Sequence, residues 1–316
     1  MTINERIIFE RILCPIDLTP ESDESLRYGI ALAKAYGAEL SVINCVESLT
    51  VSGSRDREHI KSLVDTAVRS HLRLPASDGF SWESLIVNGD PKTCISQEAA
   101  ERRIDLIVMR SRRRPIAAAL LGSTAESVCR IAPCPVMITH PREHDWVGTL
   151  ANEVGLQRVL VAYDFSSDSE LALSYGLSLA QEYQAEIHLL HVLPSALARS
   201  VTPQVAFERQ LAESRFGDAP SELNVASRLK DAVPRETSAW CDVKQAVRAG
   251  QPYREVLSYA DEENIDLICM GASGAGFGMR ALFGSNADRV LRQAPCPVLI
   301  ARPLRPAIAR LTTTIG

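Results

Sequence analysis

The sequence predicts an α/β protein of two tandem domains, each a five-stranded parallel sheet with helices on both faces. Three observations predict it: the chain repeats itself at long range, strand-like runs alternate with helical patterns within each copy, and those strands are apolar and β-branched. The repeat opens with Arg11-Ile-Leu-Cys-Pro-Ile-Asp17, which returns as Arg158-Val-Leu-Val-Ala-Tyr-Asp164 at an offset of 147. The helical pattern that follows keeps this offset. Leu26, Ile30 and Ala33 match Leu173, Leu177 and Ala180, a spacing that puts them on one apolar helix face. The second strand, Leu40–Cys45, matches Ile187–Val192.

Beyond this point the copies differ in length. Gly89-Asp-Pro91 corresponds to Gly250-Gln-Pro252 at an offset of 161, so the second copy carries 14 extra residues, placed in the polar, partly helical stretch 203–237. Each Gly-x-Pro starts a third helix, with proline in the first turn, where its missing N–H costs nothing. Ile104–Met109 then matches Ile265–Met270 as the fourth strand, and Ala132-Pro-Cys-Pro matches Ala294-Pro-Cys-Pro at an offset of 162. Proline cannot continue a helix, so this motif ends the fourth helix and opens the fifth strand. The domains fall at residues 1–145 and 155–304, joined near Arg142–Gly155, with a loosely ordered tail from Pro303 to Gly316. Strand five of each copy is a sheet edge that needs a cover or a partner.

Composition narrows the class. A length of 316 residues suits two domains, and 46% hydrophobic with 23% charged residues is ordinary for a soluble globular protein. A net charge of −5 argues against a general nucleic-acid or acidic-membrane binder. Neither a secretory signal nor an apolar run long enough to span a bilayer is read from the residues. The eight cysteines lack Cys-x-x-Cys spacing. Cys14, Cys45, Cys94 and Cys269 lie in or beside apolar runs, so buried thiols in a reducing cytoplasm are expected.

The chemistry concentrates after the fourth strand of the second copy. There Gly271-Ala-Ser-Gly274 leads, nine residues on, to Gly284-Ser285 and a helix beginning with Asn286. A strand, a glycine-rich loop and a helix start bring backbone N–H groups and the positive end of a helix dipole together, which suits an anion. The rival reading is a plain connection, with Ser285 serving only as a helix N-cap. In a doubly wound sheet, ligands lie beyond the carboxyl ends of the strands where the strand order reverses. Asp164 then offers a carboxylate for ribose hydroxyls or an adenine amino group, and Val192 and Met270 offer apolar walls for a base.

An aspartate ending strand one, His-Val after strand two and Gly-x-x-Gly-(nine)-Gly-Ser together resemble the universal stress protein family, in its ATP-binding branch. The resemblance covers both copies. It implies tandem Rossmann-like (adenine nucleotide alpha hydrolase-like) domains and a stress-response protein that binds ATP or another adenine nucleotide, with Mg2+ or Mn2+ on the phosphates. It implies a regulatory role, with no catalytic residue and no protein ligand to a metal. By position, the nucleotide contacts fall on Ala162, Asp164, Val192, Met270, Gly271, Ser273, Gly274, Gly284, Ser285 and Asn286. The family usually has proline where Ala162 stands. Family dimers pair through strand five, which implies an intrachain pseudo-dimer here and leaves room for a homodimer of chains.

The first copy departs from this pattern. Arg110 and Arg113 replace the two glycines, although Pro15, Asp17 and Gly122-Ser123 remain. Ser123-Thr-Ala-Glu126 reads as a capping box, and capping is the role expected to survive there. Arg110, Arg112, Arg113 and Arg114 could fork onto another anion, but a solvated loop or pairing with acidic groups of the other domain is expected. His188 and His191 point to opposite faces of a strand and cannot share a metal. Two rivals stand beside ATP binding: a slow ATPase or nucleotide hydrolase using the same pocket, and a nucleotide-free interaction scaffold.

Overall fold

The computed structural model describes residues 7–46, 54–72, 80–110, 122–139, 145–148, 154–194, 222–273 and 283–303. The expected alternation is present in both halves. The first runs β1 (Arg11–Pro15), α1 (Pro20–Tyr36), β2 (Glu39–Val46), α2 (Ser54–Ser70), β3 (Trp82–Asn88), α3 (Pro91–Glu101), β4 (Leu106–Arg110), α4 (Ser123–Ile131) and β5 (Val136–Thr139). The second runs β6 (Arg158–Ala162), α5 (Ser167–Tyr183), β7 (Glu186–Pro194), α6 (Glu222–Ala232), β8 (Val243–Gly250), α7 (Pro252–Glu262), β9 (Leu267–Gly271), α8 (Ser285–Gln293) and β10 (Val298–Ala301). In the longer stretch between the second and third strands of this half, α6 stands where α2 stands in the first, and a 3-10 turn follows at Arg235–Ala239. Residues 195–221 and the tail from residue 304 lie outside the described residues.

Local chemistry sets the helix ends. Pro20, Pro91 and Pro252 occupy first-turn positions. Ser166 caps α5 by accepting from the Ser169 amide at 3.2 Å. Gly37 closes α1 with a left-handed φ of 64°. The aspartate of each Ile-Asp-Leu-Ile run has a job that spacing alone does not reveal. Asp105 accepts the amides of Glu10 and Arg11 at 2.9 Å, and Asp266 accepts those of Gln157 and Arg158 at 2.9 and 2.8 Å. Each thereby fastens the fourth strand of its half to the entry of the first.

The strands form one ten-stranded sheet in the order β3-β2-β1-β4-β5-β10-β9-β6-β7-β8. Within each half all neighbours are parallel, so βαβ crossovers carry helices onto both faces. Strand five is an edge only when its half is considered alone. In the chain, β5 and β10 pair antiparallel, with Val298 opposite Ile138, Leu299 opposite Met137 and Ile300 opposite Val136. All six side chains are buried. A short strand with an unpaired edge thus finds its cover in the other copy.

The joint between the halves is also anchored. Trp146 and Val147 are buried, and Trp146 meets Tyr28 edge-to-face with ring centroids 4.8 Å apart. Arg27 and Tyr28 of α1 both hydrogen-bond the Asp145 carboxylate. The Ser178 hydroxyl of α5 also bonds the backbone of Ile7 in the other half. Arg302, beyond β10, donates to the carbonyls of Cys129 and Arg130 at the end of α4.

All eight cysteines are free thiols, seven of them buried. His188 on β7 is fully buried, with Nδ1 3.0 Å from the Tyr259 hydroxyl and Nε2 3.4 Å from Glu186. Burial holds it below the usual histidine range, against the opposing pull of Glu186. The unfolded chain takes up a proton near pH 6.5 that the folded protein resists, so stability is full above that pH and falls below it. Between pH 7.5 and 5.5 this group should remove up to about 1.4 kcal/mol. Urea unfolding of wild type and His188→Phe at both values measures it; equal losses in the two proteins would contradict the assignment.

Candidate functional site

Strand order reverses between β6 and β9 in the second half, and between β1 and β4 in the first. Each reversal opens a crevice beyond the strand ends, because the connections from neighbouring strands leave toward opposite faces.

At the second-half crevice, Ala162 is the last residue of β6, and Asp164 follows two residues later. The Asp164 carboxylate accepts the Ser166 amide at 3.1 Å and the Ser166 hydroxyl at 2.5 Å. Phe165, between them, takes a left-handed φ of 63°, and Leu18 repeats this at φ 59° beside Asp17. A bulky residue is unfavourable there, by roughly 1–2 kcal/mol. Its presence in both copies marks a turn built to hold the aspartate in place.

Met270 belongs to a large apolar cluster against which Ala162, Val192 and Phe283, all partly buried, also pack. Gly271 ends β9. A Cβ added there would lie 2.6 Å from Cβ of Asp168 and 2.9 Å from its carbonyl carbon, so glycine is demanded by close approach. Asp168, in the first turn of α5, also accepts the Ser273 amide at 3.0 Å. Gly274 lies outside the described residues. The loop's far end closes through the Gly284 amide, which donates to the Ala272 carbonyl at 2.9 Å.

The helix start differs from the capped-helix reading. Gly284, with no side chain to cap, is the N-cap of α8, and Ser285 is its first helical residue, exposed like Asn286. The same correction holds in the first half. Gly122 is the N-cap of α4, no side-chain cap forms, and Ser123-to-Glu126 is not a capping box. Glu126 instead meets Arg130 at 3.0 Å and Arg292 of the other half at 3.5 Å. A helix start left uncapped by its own side chains keeps its amides and dipole for an acceptor.

Three features escaped the sequence reading. Asp168 is one; the repeat places Glu21 at the same offset, a signal that was present. An aromatic cluster beside Asp164 is another. Phe165 meets Tyr163 edge-to-face and His191 at a tilt, with the Arg228 guanidinium 3.9 Å from the Phe165 ring centroid. His191 Nδ1 lies 2.8 Å from the Tyr163 carbonyl, which accounts for that histidine structurally.

The third is a cavity of about 640 Å3 in the first-half crevice, within the usual range for small-molecule sites. Its walls include Pro15, Asp17, Cys45, Met109 and Ser123, the counterparts of Ala162, Asp164, Val192, Met270 and Ser285. A hollow thus lies beside the start of α4. Arg110, the counterpart of Gly271, reaches Glu24 of its own half at 3.6 Å. Arg112, Arg113 and Arg114 lie outside the described residues. Arg292 crosses from α8 onto the wall of this cavity.

Comparison with known proteins agrees with the repeat. The family model described as Universal stress protein family matches residues 8–140 and again residues 155–302. The chain is 30% identical over 148 residues to universal stress protein YxiE of Bacillus subtilis, aligning 46% of this chain with 98% of that one. It is 24% identical over 302 residues to universal stress protein Mb2028c of Mycobacterium bovis, covering 92% of this chain and 96% of the relative. The solved structure of a universal stress protein from Archaeoglobus fulgidus superposes with a TM-score of 0.64 at 25% identity, covering 92% and 98% of the two chains.

Proposed function

The chain belongs to the universal stress protein family, and from that premise we propose that its second half binds ATP, or another adenine nucleotide, as a regulatory ligand. The observation that carries this reading is the glycine-only turn ending β9, set across one crevice from Asp164 and leading to a helix whose first turn has no side-chain cap. Phosphates would take the backbone amides of the loop and of Ser285 and Asn286. Asp164 would accept from the ribose or the base, and Ala162, Val192 and Met270 would enclose the ring.

The protein's part is to bind and orient. Among the described residues, no three His, Cys, Asp or Glu side chains gather to hold a metal ion, so magnesium or manganese would be carried by the phosphates. The segment from Gly271 to Asn286 contains no lysine to neutralise a transferring phosphoryl group. That favours a bound regulator over a hydrolase. Among the described residues no helix is long and apolar enough to cross a membrane, and a cytoplasmic setting suits a protein with free, buried thiols. The β5–β10 pairing supports reading residues 1–145 and 155–304 as an intrachain pseudo-dimer.

Calorimetric titration with ATP and magnesium should give one nucleotide per chain. Asp164→Ala should weaken it about 10-fold, the loss of a hydrogen bond involving a charged group. Phosphate release in excess ATP should stay below about 1 per second, under the usual enzyme range. Faster turnover would favour a hydrolase, and indifference to ATP would leave an interaction scaffold.

A further inference from the structure

The eight thiols are not equivalent. Cys14, Cys129, Cys134, Cys269 and Cys296 are at most 1% exposed, whereas Cys45 is only half-buried. Cys45 stands on β2 opposite Val87 of β3, and both side chains pack on the apolar cluster to which Ile95 and Ala99 of α3 belong. Cys94 lies in the first turn of α3, on that same face. Its thiol donates to the carbonyl of Asn88, one residue beyond Val87, at 3.7 Å. The two sulfur atoms are therefore neighbours, with the Cys45 thiol in hydrogen-bonding contact with Cys94. The turn after β3 makes room for the second sulfur. Gly89 takes a φ of 143°, and a Cβ there would lie 2.6 Å from Cys94 Sγ. In the second half the same positions hold Val192 and Glu255, and the Glu255 side chain occupies the space beside Gly250. The paired thiols thus belong to the first half alone. Cys269 and Cys296 also lie near each other, but both are fully buried and closed to an oxidant.

We propose that Cys45 and Cys94 are a site of reversible oxidation, closing under peroxide to a disulfide that ties the end of β2 to the start of α3. The Cys94 thiolate attacks one oxygen of hydrogen peroxide, becoming a sulfenic acid and releasing water. The Cys45 sulfur then displaces the sulfenic oxygen, which leaves as a second water. Two thiols give up two electrons and two protons, and one peroxide becomes two waters. Cys94 is the attacking sulfur, because a helix start favours a thiolate and the Cys45 S–H donates to it. Burial holds both thiols above their usual range, Cys45 at about 12, so thiolate is scarce and closure is slow. The pair answers sustained oxidant rather than a brief pulse. The bridge closes a loop that carries α2 and β3, so it restricts the unfolded chain and stabilises the first half.

The test is prolonged treatment of the whole, reduced chain with excess hydrogen peroxide, followed by thiol counting in denaturant and peptide mapping without reduction. Titratable thiols should fall from eight to six, and the map should show one cross-linked pair of peptides, carrying Cys45 and Cys94. Dithiothreitol should restore all eight. The oxidised protein should unfold at a higher urea concentration than the reduced one, and dithiothreitol should cancel the difference. Cys94→Ser and Cys45→Ser should each abolish both the cross-link and the peroxide-induced rise in the midpoint. The mapping of the unsubstituted chain decides even where a variant folds poorly. Eight thiols surviving the treatment, a sulfinic acid at either position in place of the bridge, or a cross-link between other cysteines would overturn the proposal. None of these readouts depends on whether the chain binds a nucleotide.

Discussion

Gly271→Arg, which copies into the second half the residue that stands at Arg110, is expected to weaken ATP binding at least about 100-fold. The estimate follows from losing two or more phosphate hydrogen bonds at about 1.5–3 kcal/mol each. The reason is steric before it is electrostatic. A Cβ at 271 would lie 2.6 Å from Cβ of Asp168 and 2.9 Å from its carbonyl carbon, so α5 and the loop must separate. The Ser273 amide, now held by Asp168 at 3.0 Å, would lose its place as well. Gly271→Ala tests the backbone contribution alone and should cost about 1–3 kcal/mol of stability, the usual penalty of overpacking. Calorimetric titration and thermal unfolding of both variants measure the two effects separately. Wild-type ATP affinity in Gly271→Arg would show that the phosphates do not use this turn.

Leu299→Asp should be the most damaging single change in the fold, lowering stability by about 4 kcal/mol or more. Leu299 is fully buried opposite Met137 at the antiparallel junction, while its neighbours Val298 and Ile300 face the other side of the sheet. A carboxylate there would be buried in an apolar cluster, and its desolvation is not recovered. The damage should spread to both halves, since β5 and β10 close each other's edge. Leu299→Val keeps the junction apolar and should cost less than about 1.5 kcal/mol. Urea unfolding of the two variants decides: a Leu299→Asp midpoint close to that of Leu299→Val would mean the strands do not rely on each other.

The repeat made most of the fold legible. Matching strands and Gly-x-Pro helix starts located both halves, because parallel strands buried on two faces leave unbroken apolar runs. What the spacing did not show was interaction across elements. Asp105 and Asp266 stand in apolar runs where only three-dimensional placement shows them holding the first strands. Asp168 lies 105 residues from the amide it accepts. Ser123 and Ser285 satisfied the sequence rule for an N-cap, yet the glycine before each takes that position. The serine pattern shifts by a single residue, and cap rules do not resolve such a shift. The first-half cavity was hidden for a different reason. Arg110 reads as an obstruction in sequence, yet among the described residues it lies 3.6 Å from Glu24 and forms part of the wall of a hollow.

The antiparallel seam at the middle of the sheet also bears on dilution. Two separate copies of one half would meet by collision, and their union would weaken as protein became scarce. Here the two partners are tethered, so each sees the other at a local concentration fixed by the tether rather than by expression level. The union should therefore persist at copy numbers where a bimolecular pair would come apart. Among the described residues it also leaves β3 and β8 as the outermost strands of the sheet, the edges from which further strand pairing would start.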